Sequence, residues 1–497
     1  MTSLLWTLVA AQIAMGAFDT LFHHEGTERL AWRPSQRREL QLHGVRNLLY
    51  TAMFATLGWA EPHGALASAL IALLAAELVI TLWDFVEEDR TRHLPASERV
   101  THTLLTLNYG AILALLAPVL LSWAAAPTGL AWAYHGFWSW LCAAAACGTA
   151  VAGVRDLAAA DRTARLGESD PASLAAGLPP ASRVLVTGGS GFIGSRLVAA
   201  LAAAGHDVTV LTRRRENASR LPAPLRIVTD LAQIPSSARI DAIVNLAGEP
   251  IGNGLWTTSK RRRIVESRLA TTWALGRLIE RLETRPKVLV SGSAIGWYGL
   301  RGGEPLAEDG DFRDCFSHRL CSAWEYAAQL AAGRGVRLVL LRTGLVLGRE
   351  GGVLSRMLAP FEFGLGGRFG DGRQWMSWIH RDDLVRLIVR AIADPELAGP
   401  LNGTAPKPAT NAEFARALGR ALGRPAIFPV PAAPLRFALG DFADELLLGG
   451  QHIRPAKASA AGFRFAYPTL DEALAAIVGR PAKPAAAAGD PAIGAAA

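Results

Sequence analysis

The chain has 497 residues, 51% of them apolar and only 19% charged, a balance too apolar for an ordinary soluble protein and a length that calls for more than one core. Its formal net charge of +8 comes from arginines spread over polar loops and helix faces. With only short basic clusters at Arg213–Arg215 and Lys260–Arg263 and no base-reading motif, a nucleic-acid partner is not expected. Cys142, Cys147, Cys315 and Cys321 show neither a C-x-x-C pair nor metal-ligand spacing and read as reduced thiols.

Five apolar segments come first, at about 4–22, 45–60, 65–83, 104–125 and 130–154. Most approach the ~20 residues a helix needs to cross hydrocarbon, so residues 1–154 are expected to form an all-α transmembrane domain with the lipid bilayer as partner. The first segment lacks a basic leader, and Asp19 and His23 stand where a cleavage site would need small residues, so it reads as a retained span. Arg29, Arg33, Arg37, Arg38 and Arg46 follow the first segment, and Arg90, Arg92 and Arg99 the third. The opposite connections, Glu61–Gly64 and Ala126–Gly129, carry no arginine. The positive-inside rule then predicts a multi-pass protein of a bacterial inner membrane, its amino terminus outside and everything after Val154 cytoplasmic. Trp6, Trp59, Trp83, Trp132, Trp138 and Trp140 read as interfacial anchors.

Asp19, His23, His24, Glu39 and His43 follow the first segment, and Asp84, Glu87, Glu88, Asp89, Glu98 and His102 the third. Glu39-x-x-x-His43 and Glu98-x-x-x-His102 each set a carboxylate and an imidazole on one helix face. Four helices presenting such pairs inward can hold a metal or haem. Because the groups lie near segment ends, the preferred reading is arginine-paired groups in a wet headgroup zone, with no metal expected.

Residues 155–182 turn to Ala, Gly, Pro and Ser and read as a linker. Val184–Thr187 then breaks into Gly188-Gly189-Ser190-Gly191-Phe192-Ile193-Gly194 and an amphipathic segment. That order is strand, tight turn, helix, with bare backbone where a pyrophosphate meets a helix N-terminus. Strand-like runs at 184–187, 208–211, 243–246, 288–291 and 338–341 alternate with helical patterns and predict a doubly wound α/β domain of Rossmann type over 183–400. The second strand ends in Thr212-Arg213-Arg214-Arg215. An acidic residue there would bond the ribose hydroxyl of NAD, whereas Arg213 and Arg214 suit a 2′-phosphate, so NADP(H) is the expected cofactor; a solvated basic turn is the bland reading.

Farther along, about 344–377 is glycine-rich and contains Phe361, Phe363, Phe369 and Trp375, a mobile substrate lid rather than sheet on this reading. Arg368 is placed to grip an anionic substrate or simply to be solvated, and Trp375 belongs to the same substrate side. His380 faces substrate or packs. Residues 401–479 read as a small C-terminal substrate cap, and 480–497 as a disordered tail.

Several ordered stretches carry a resemblance: Thr187–Gly194, Asn245–Ile251, Ser291–Ala294 with Tyr298-Gly299, His318-x-Leu320-Cys321-x-x-Trp324-Glu325, Leu341–Gly344, Trp378–His380 with Asp382-Asp383, and Leu448–Gln451. Over about 183–478 the chain resembles extended and atypical short-chain dehydrogenases/reductases, and more narrowly NAD(P)-dependent epimerase-like proteins with a conserved C-terminal segment. The resemblance implies that Gly188, Gly191, Phe192, Ile193 and Gly194 hold the diphosphate and that Leu246, Ala247 and Gly248 line the nicotinamide ribose. It also implies that Asp230 and Leu231 sit near the adenine and that Ser293 supplies the hydroxyl that polarises substrate. The superfamily's Tyr-x-x-x-Lys pair is missing, since its positions hold Ser317 and Cys321. Tyr298 or His318 then carries the proton, or the site binds the dinucleotide without turnover. Glu325 reads as a packing or ion-pair residue.

The implied activity is that of an oxidoreductase or epimerase acting on a small carbonyl or hydroxyl compound. The rival is an NADP(H)-binding sensor or scaffold linked to cell division or the envelope, with an unidentified protein partner. Electron delivery from NADPH to a metal in the membrane half is a third reading.

Overall fold

A computed structural model describes residues 2–480 apart from His93, Glu168, Arg220 and Ala223. The Ala- and Pro-rich tail expected to be disordered lies outside the described residues. The chain divides into two compact units, one ending at Leu166 and the other beginning at Gly167.

In the first unit α1 (Ser3–Phe18) continues into a π-helical stretch, Asp19–Glu28, followed by α2 (Arg37–Trp59), β1 (Ala60–His63), α3 (Ala65–Thr91), α4 (Ala96–Ala124), β2 (Gly129–Trp132) and α5 (Phe137–Thr163). β1 and β2 pair antiparallel, Ala60 opposite Trp132. α2 lies along α5, and Gly44 and Gly153 allow the approach: a Cβ on Gly153 would stand 2.9 Å from the Gly44 carbonyl oxygen. Four stretches are long and apolar enough to cross a membrane: Ser3–Trp32, Ala65–Thr91, Ala96–Ala124 and Phe137–Thr163. The expected second span is not among them. Its residues do form a helix, but α2 opens with Arg37, Arg38, Glu39, His43 and Arg46, which makes its first half less apolar than those four stretches.

This unit exposes apolar side chains along its helices and buries charged ones, beside an apolar core that holds Leu57, Leu70, Leu116 and Leu120. Leu78, Val79, Leu82 and Val86 on α3, Leu104, Leu107 and Leu121 on α4, and Val151 and Val154 on α5 point outward, while Asp19, His23, His24, Glu39, His43, Asp84, Glu88 and Glu98 are buried. A wet headgroup zone does not describe these polar groups, although the expected arginine pairing is present: Arg92 bonds Glu39, Glu88 and Glu98, and Arg46 bonds Asp84.

The stretch expected as a linker is mostly folded. α5 runs through Thr163, and α6 (Pro171–Leu174), capped by the Asp170 carboxylate, lays Leu174 into the core of the second unit. There follow β3 (Arg183–Thr187), α7 (Phe192–Ala203), β4 (Asp207–Leu211), β5 (Arg226–Val228), β6 (Ala242–Asn245), α8 (Thr258–Arg281), β7 (Val288–Ala294), β8 (Pro305–Leu306), α9 (Phe316–Ala332) and β9 (Arg337–Thr343). Then come β10 (Leu345–Leu347), α10 (Leu354–Glu362), β11 (Trp375–Met376), β12 (Trp378–His380), α11 (Arg381–Ala393), β13 (Gly399–Gly403), β14 (Ala409–Thr410) and α12 (Asn411–Leu422). The unit closes with α13 (Ala432–Leu439), α14 (Asp441–Ala443), β15 (His452–Ile453), α15 (Ala456–Ala460) and α16 (Leu470–Ile477).

Seven strands form one parallel sheet in the order β13-β9-β7-β6-β3-β4-β5. Successive residues of β3 feed opposite faces: Val184 and Val186 join a core with Leu197 and Leu201 of α7 and Leu384 and Ile388 of α11, while Leu185 joins Leu275 and Ile279 of α8. Apolar runs rather than alternation therefore mark these strands, because both faces are covered. The chain leaves β3 toward β4 on one side and later returns to β6 on the other, which opens a crevice at the carboxyl ends of β3 and β6. β13 belongs to this sheet and crosses the expected domain boundary at 400.

The glycine-rich stretch expected as a lid is not free of sheet. β10 pairs in parallel with β12, Leu345 opposite Trp378, and α10 follows. Three of its glycines have a packing reason, because a Cβ on Gly348, Gly351 or Gly352 would press on the Phe192 ring.

Candidate active site

The crevice is floored by the glycine turn. Gly188 has φ +69°, its carbonyl accepts from the Gly191 N–H at 2.9 Å, and a Cβ there would stand 2.7 Å from the Leu246 carbonyl oxygen. Only glycine meets both the left-handed backbone and that approach. Gly191 is the N-cap of α7, with Phe192, Ile193 and Gly194 forming its first turn, so backbone N–H groups and the positive end of the helix dipole face the crevice. Thr187 fixes the opposite wall: its hydroxyl donates to Asn245 Oδ1 at 2.7 Å and accepts from the Ala247 N–H at 3.3 Å, which holds Leu246-Ala247 beside the turn. Gly248 makes room for the Arg268 guanidinium, 2.9 Å from where its Cβ would be. These residues form a bare-backbone cradle that a diphosphate fits.

Arg213 and Arg214 are exposed directly after β4, the strand beside β3. The Glu249 carboxyl, in the loop after β6, is held below its ordinary value first by the Lys260 ammonium at 2.7 Å and also by Arg263 and Arg213. The exposed Asp230 carboxylate accepts from the Ala232 N–H at 2.9 Å and caps the turn after β5, while Leu231 is buried and its carbonyl accepts from Arg281.

Ser293 and Tyr298 are brought together, but inside a closed network. The Ser293 hydroxyl donates to Glu325 Oε1 at 2.7 Å, and Arg342 grips both Glu325 oxygens at 2.9 and 3.0 Å. Arg342 also donates to the Tyr298 hydroxyl at 3.2 Å, which itself donates to Asn402 Oδ1 at 2.8 Å. Tyr298 is fully buried, and burial pushes its phenol above the ordinary range despite Arg342. That corrects its expected role: it is a structural tyrosine, not a substitute proton donor. Of the two readings of Glu325, packing or ion pair, the pair with Arg342 is the one present. Arg342, stacked 3.5 Å from the Trp297 ring centroid, organises the network and has no local sequence signal beyond the Leu-Arg-Thr-Gly stretch.

His318 lies in the first turn of α9. Its Nδ1 meets the Trp297 carbonyl at 2.5 Å, its Nε2 meets the Ser322 hydroxyl at 3.2 Å, and its ring stacks on Phe312 with centroids 4.0 Å apart. Both nitrogens are engaged within the protein, the arrangement of a packing histidine. The two positions of the missing dyad are equally occupied. Ser317 donates through its hydroxyl to Glu445 at 2.5 Å, and Glu445 also accepts from the Phe316 and Ser317 N–H groups. Cys321 is buried beside Gly296, and burial pushes its thiol up to about 12, so it stays protonated and is no nucleophile. Glu445 escapes sequence reasoning because it arrives from a segment far downstream; a carboxylate in Asp444-Glu445 before an apolar run was the sole signal.

A cavity of about 430 Å³ lies between α9 and the edge strands, with Trp297, Tyr326 and Leu340 in its walls. Glu325 and Arg342 border it, but no glycine-turn residue does, so it is not the dinucleotide crevice. Of the expected substrate residues, Arg368 is exposed and Trp375 stacks on His452 at 4.1 Å. His380 is the N-cap of α11: its Nδ1 accepts from the Asp382 N–H at 3.1 Å, its ring lies 3.9 Å from Tyr467, and burial lowers it to about 4. It is the packing histidine of the two readings.

Residues 184–402 match the NAD dependent epimerase/dehydratase family, and 430–477 match the domain of unknown function DUF1731. Over 302 residues the chain is 42% identical to the epimerase family protein SDR39U1 of Bos taurus, an alignment that takes in 60% of this chain and 99% of the relative. The chain belongs to this epimerase family. A second SDR39U1-like relative, the epimerase family protein ML0860 of Mycobacterium leprae, is 42% identical over 304 residues, 60% of this chain and 97% of its own. Among solved structures, human SDR39U1 (isoform 2) with NADPH superposes with a TM-score of 0.55 at 39% identity, covering 60% of this chain and 99% of that one. Neither family match extends into the first unit.

Proposed function

We propose that this epimerase-family chain is a membrane-anchored NADP(H)-binding protein whose second unit acts on a small carbonyl- or hydroxyl-bearing compound. The glycine cradle at the β3/β6 crevice, with Arg213 and Arg214 one strand away, carries this reading. The similarity to human SDR39U1, solved with NADPH, supports the phosphorylated dinucleotide. Gly188, Gly191, Phe192, Ile193 and Gly194 would hold the diphosphate through backbone N–H groups, Leu246, Ala247 and Gly248 would flank the nicotinamide ribose, and Arg213 and Arg214 would pair with the 2′-phosphate. When bound, the nicotinamide supplies hydride chemistry. Ser293 is held by Glu325 with its oxygen lone pairs left to accept, so it orients a substrate hydroxyl rather than protonating a carbonyl.

Outward leucines and valines around a buried polar interior support the membrane anchor; with α2 counted as a crossing, as the pairing of β1 at its end with β2 after α4 favours, the arginine-bearing connections support a cytoplasmic side for the second unit. A second reading, dinucleotide binding without turnover, is favoured by one observation: Tyr298, His318, Ser317 and Cys321 are all engaged or buried.

The test uses the full chain in detergent. NADPH is expected to bind more tightly than NADH, and the Arg213→Ala, Arg214→Ala pair to weaken NADPH about 10- to 100-fold with little effect on NADH, as loss of hydrogen bonds to a charged group predicts. Equal affinity for both dinucleotides would remove the NADP(H) assignment. NADP+ reduction on a panel of hydroxyl compounds, abolished by Ser293→Ala, favours the enzyme; tight binding with no turnover favours the second reading.

A further inference from the structure

The buried polar groups of the first unit form a donor set that helix pairing alone does not explain. Asp19, His24, Glu98 and His102 each turn one donor atom toward a common point, all within 4.8 Å of one another, and His24, His43 and Glu88 form an adjoining group that shares His24. His24 Nε2 stands 3.3 Å from Asp19 Oδ2 and 3.7 Å from Glu98 Oε1, and His102 Nε2 stands 3.2 Å from Asp19 Oδ2. Donors held at ~2.0–2.2 Å from one tetrahedral metal lie about 3.3–3.6 Å apart, so these separations are those of the edges of a coordination shell.

Two further observations point to a cation. His24 Nε2 is buried and makes no hydrogen bond among the described residues; its ring stacks on that of His43 with centroids 4.6 Å apart, and His43 Nε2 lies 2.9 Å from Asp84 Oδ2. A buried ring nitrogen aimed between carboxylates without a hydrogen bond is costly unless a ligand takes its lone pair. Charge points the same way. Asp19, Glu39, Asp84, Glu88 and Glu98 face two guanidinium groups, Arg46 and Arg92, and the imidazoles of His23, His24, His43 and His102; with those imidazoles neutral, as metal ligation requires, the carboxylates are in surplus away from water.

Outer contacts orient the donors as a metal site requires. His23 Nδ1 bonds Asp19 Oδ1 at 2.9 Å, turning Oδ2 inward, and Arg92 holds Glu98 at 2.7 and 2.8 Å. The π-helical stretch Asp19–Glu28 presents Asp19, His23 and His24 to the same interior, and such wide turns recur at functional sites.

We propose that Asp19, His24, Glu98 and His102 bind a first-row divalent cation, with His43 and Glu88 as the adjoining donors. Two imidazoles and two carboxylates without sulfur select Fe(II), Mn(II) or Zn(II) over a soft ion. The site lies wholly in the first unit and is independent of the dinucleotide reading.

The full chain, purified in detergent from cells supplied with iron, manganese and zinc, is assayed by elemental mass spectrometry, then stripped with EDTA and titrated with Co(II). Stoichiometric metal and saturable Co(II) binding with d–d absorption are expected. His24→Asn and His102→Gln should lose both while NADPH binding persists, and His63→Asn, outside the group, should keep both. His23→Phe, which removes the bond that orients Asp19 together with a longer one to Ser97, should weaken Co(II) about 10- to 100-fold. Trace metal and a featureless Co(II) titration in the wild type would overturn the site, as would metal content unchanged in His24→Asn and His102→Gln. The wild-type Co(II) spectrum is decisive whether or not a variant folds.

Discussion

Arg342 is the residue on which the interior of the second unit turns. It neutralises Glu325, supports Tyr298 and stacks on Trp297, so its loss would leave a carboxylate buried without a counterion. Arg342→Met is expected to cost about 3–5 kcal/mol, read as a lower melting temperature, and a companion Glu325→Leu should recover most of it, because removing both charges spares the desolvation that removing one exposes. A double variant as unstable as the single one would show that packing rather than charge is what Arg342 supplies. Cys321 gives a second check at this scale. With its thiol held protonated and buried, iodoacetamide should label it only in denaturant; rapid labelling of the native protein would refute the packing role. Sequence reasoning left Glu325 as a packing or an ion-pair residue and did not find its partner, since nothing local ties Arg342 to a residue seventeen positions earlier.

At the level of elements, the head of α11 shows how a motif can be legible while its duty is not. Trp378-Ile379-His380 before Asp382-Asp383 announces a helix start, and a helix starts there. Whether His380 faces substrate or packs was decided by Tyr467, far away in sequence. Its depressed value, about 4 against an ordinary 6.5, has a definite sign in stability. Between those values the unfolded chain takes up a proton that the native chain refuses, so the contribution is full above about pH 6.5 and is lost as pH falls toward 4. His380→Asn keeps an N-capping side chain and should flatten that part of the wild-type stability–pH curve; urea melts at several pH values would show this, and parallel curves for both proteins would refute it. The glycines of 348–352 teach the same lesson. Composition suggested mobility, yet they make room for Phe192, a partner more than a hundred and fifty residues earlier.

For the whole molecule, the doubly wound sheet was legible because parallel strands covered on both faces need unbroken apolar runs, and the glycine turn was legible because only glycine fits it. The first unit was legible as apolar helices but not in its number of candidate spans, since α2 buries its polar half against other helices rather than leaving it in water. Membrane integration predicts that the full chain stays in the pellet after alkaline carbonate extraction and needs detergent to leave it. Recovery in the carbonate supernatant would exclude an integral protein.

Glu445 has a consequence for how the polypeptide is made. It holds the start of α9 from 128 residues beyond Ser317, and β15 pairs with β8 across a similar distance. Translation delivers the dinucleotide turn early and these fasteners last. A nascent chain still on the ribosome would therefore lack the Glu445 contact at the start of α9 until residue 445 emerged, and premature stop codons upstream of it should yield products that proteases clear rather than shortened but serviceable ones.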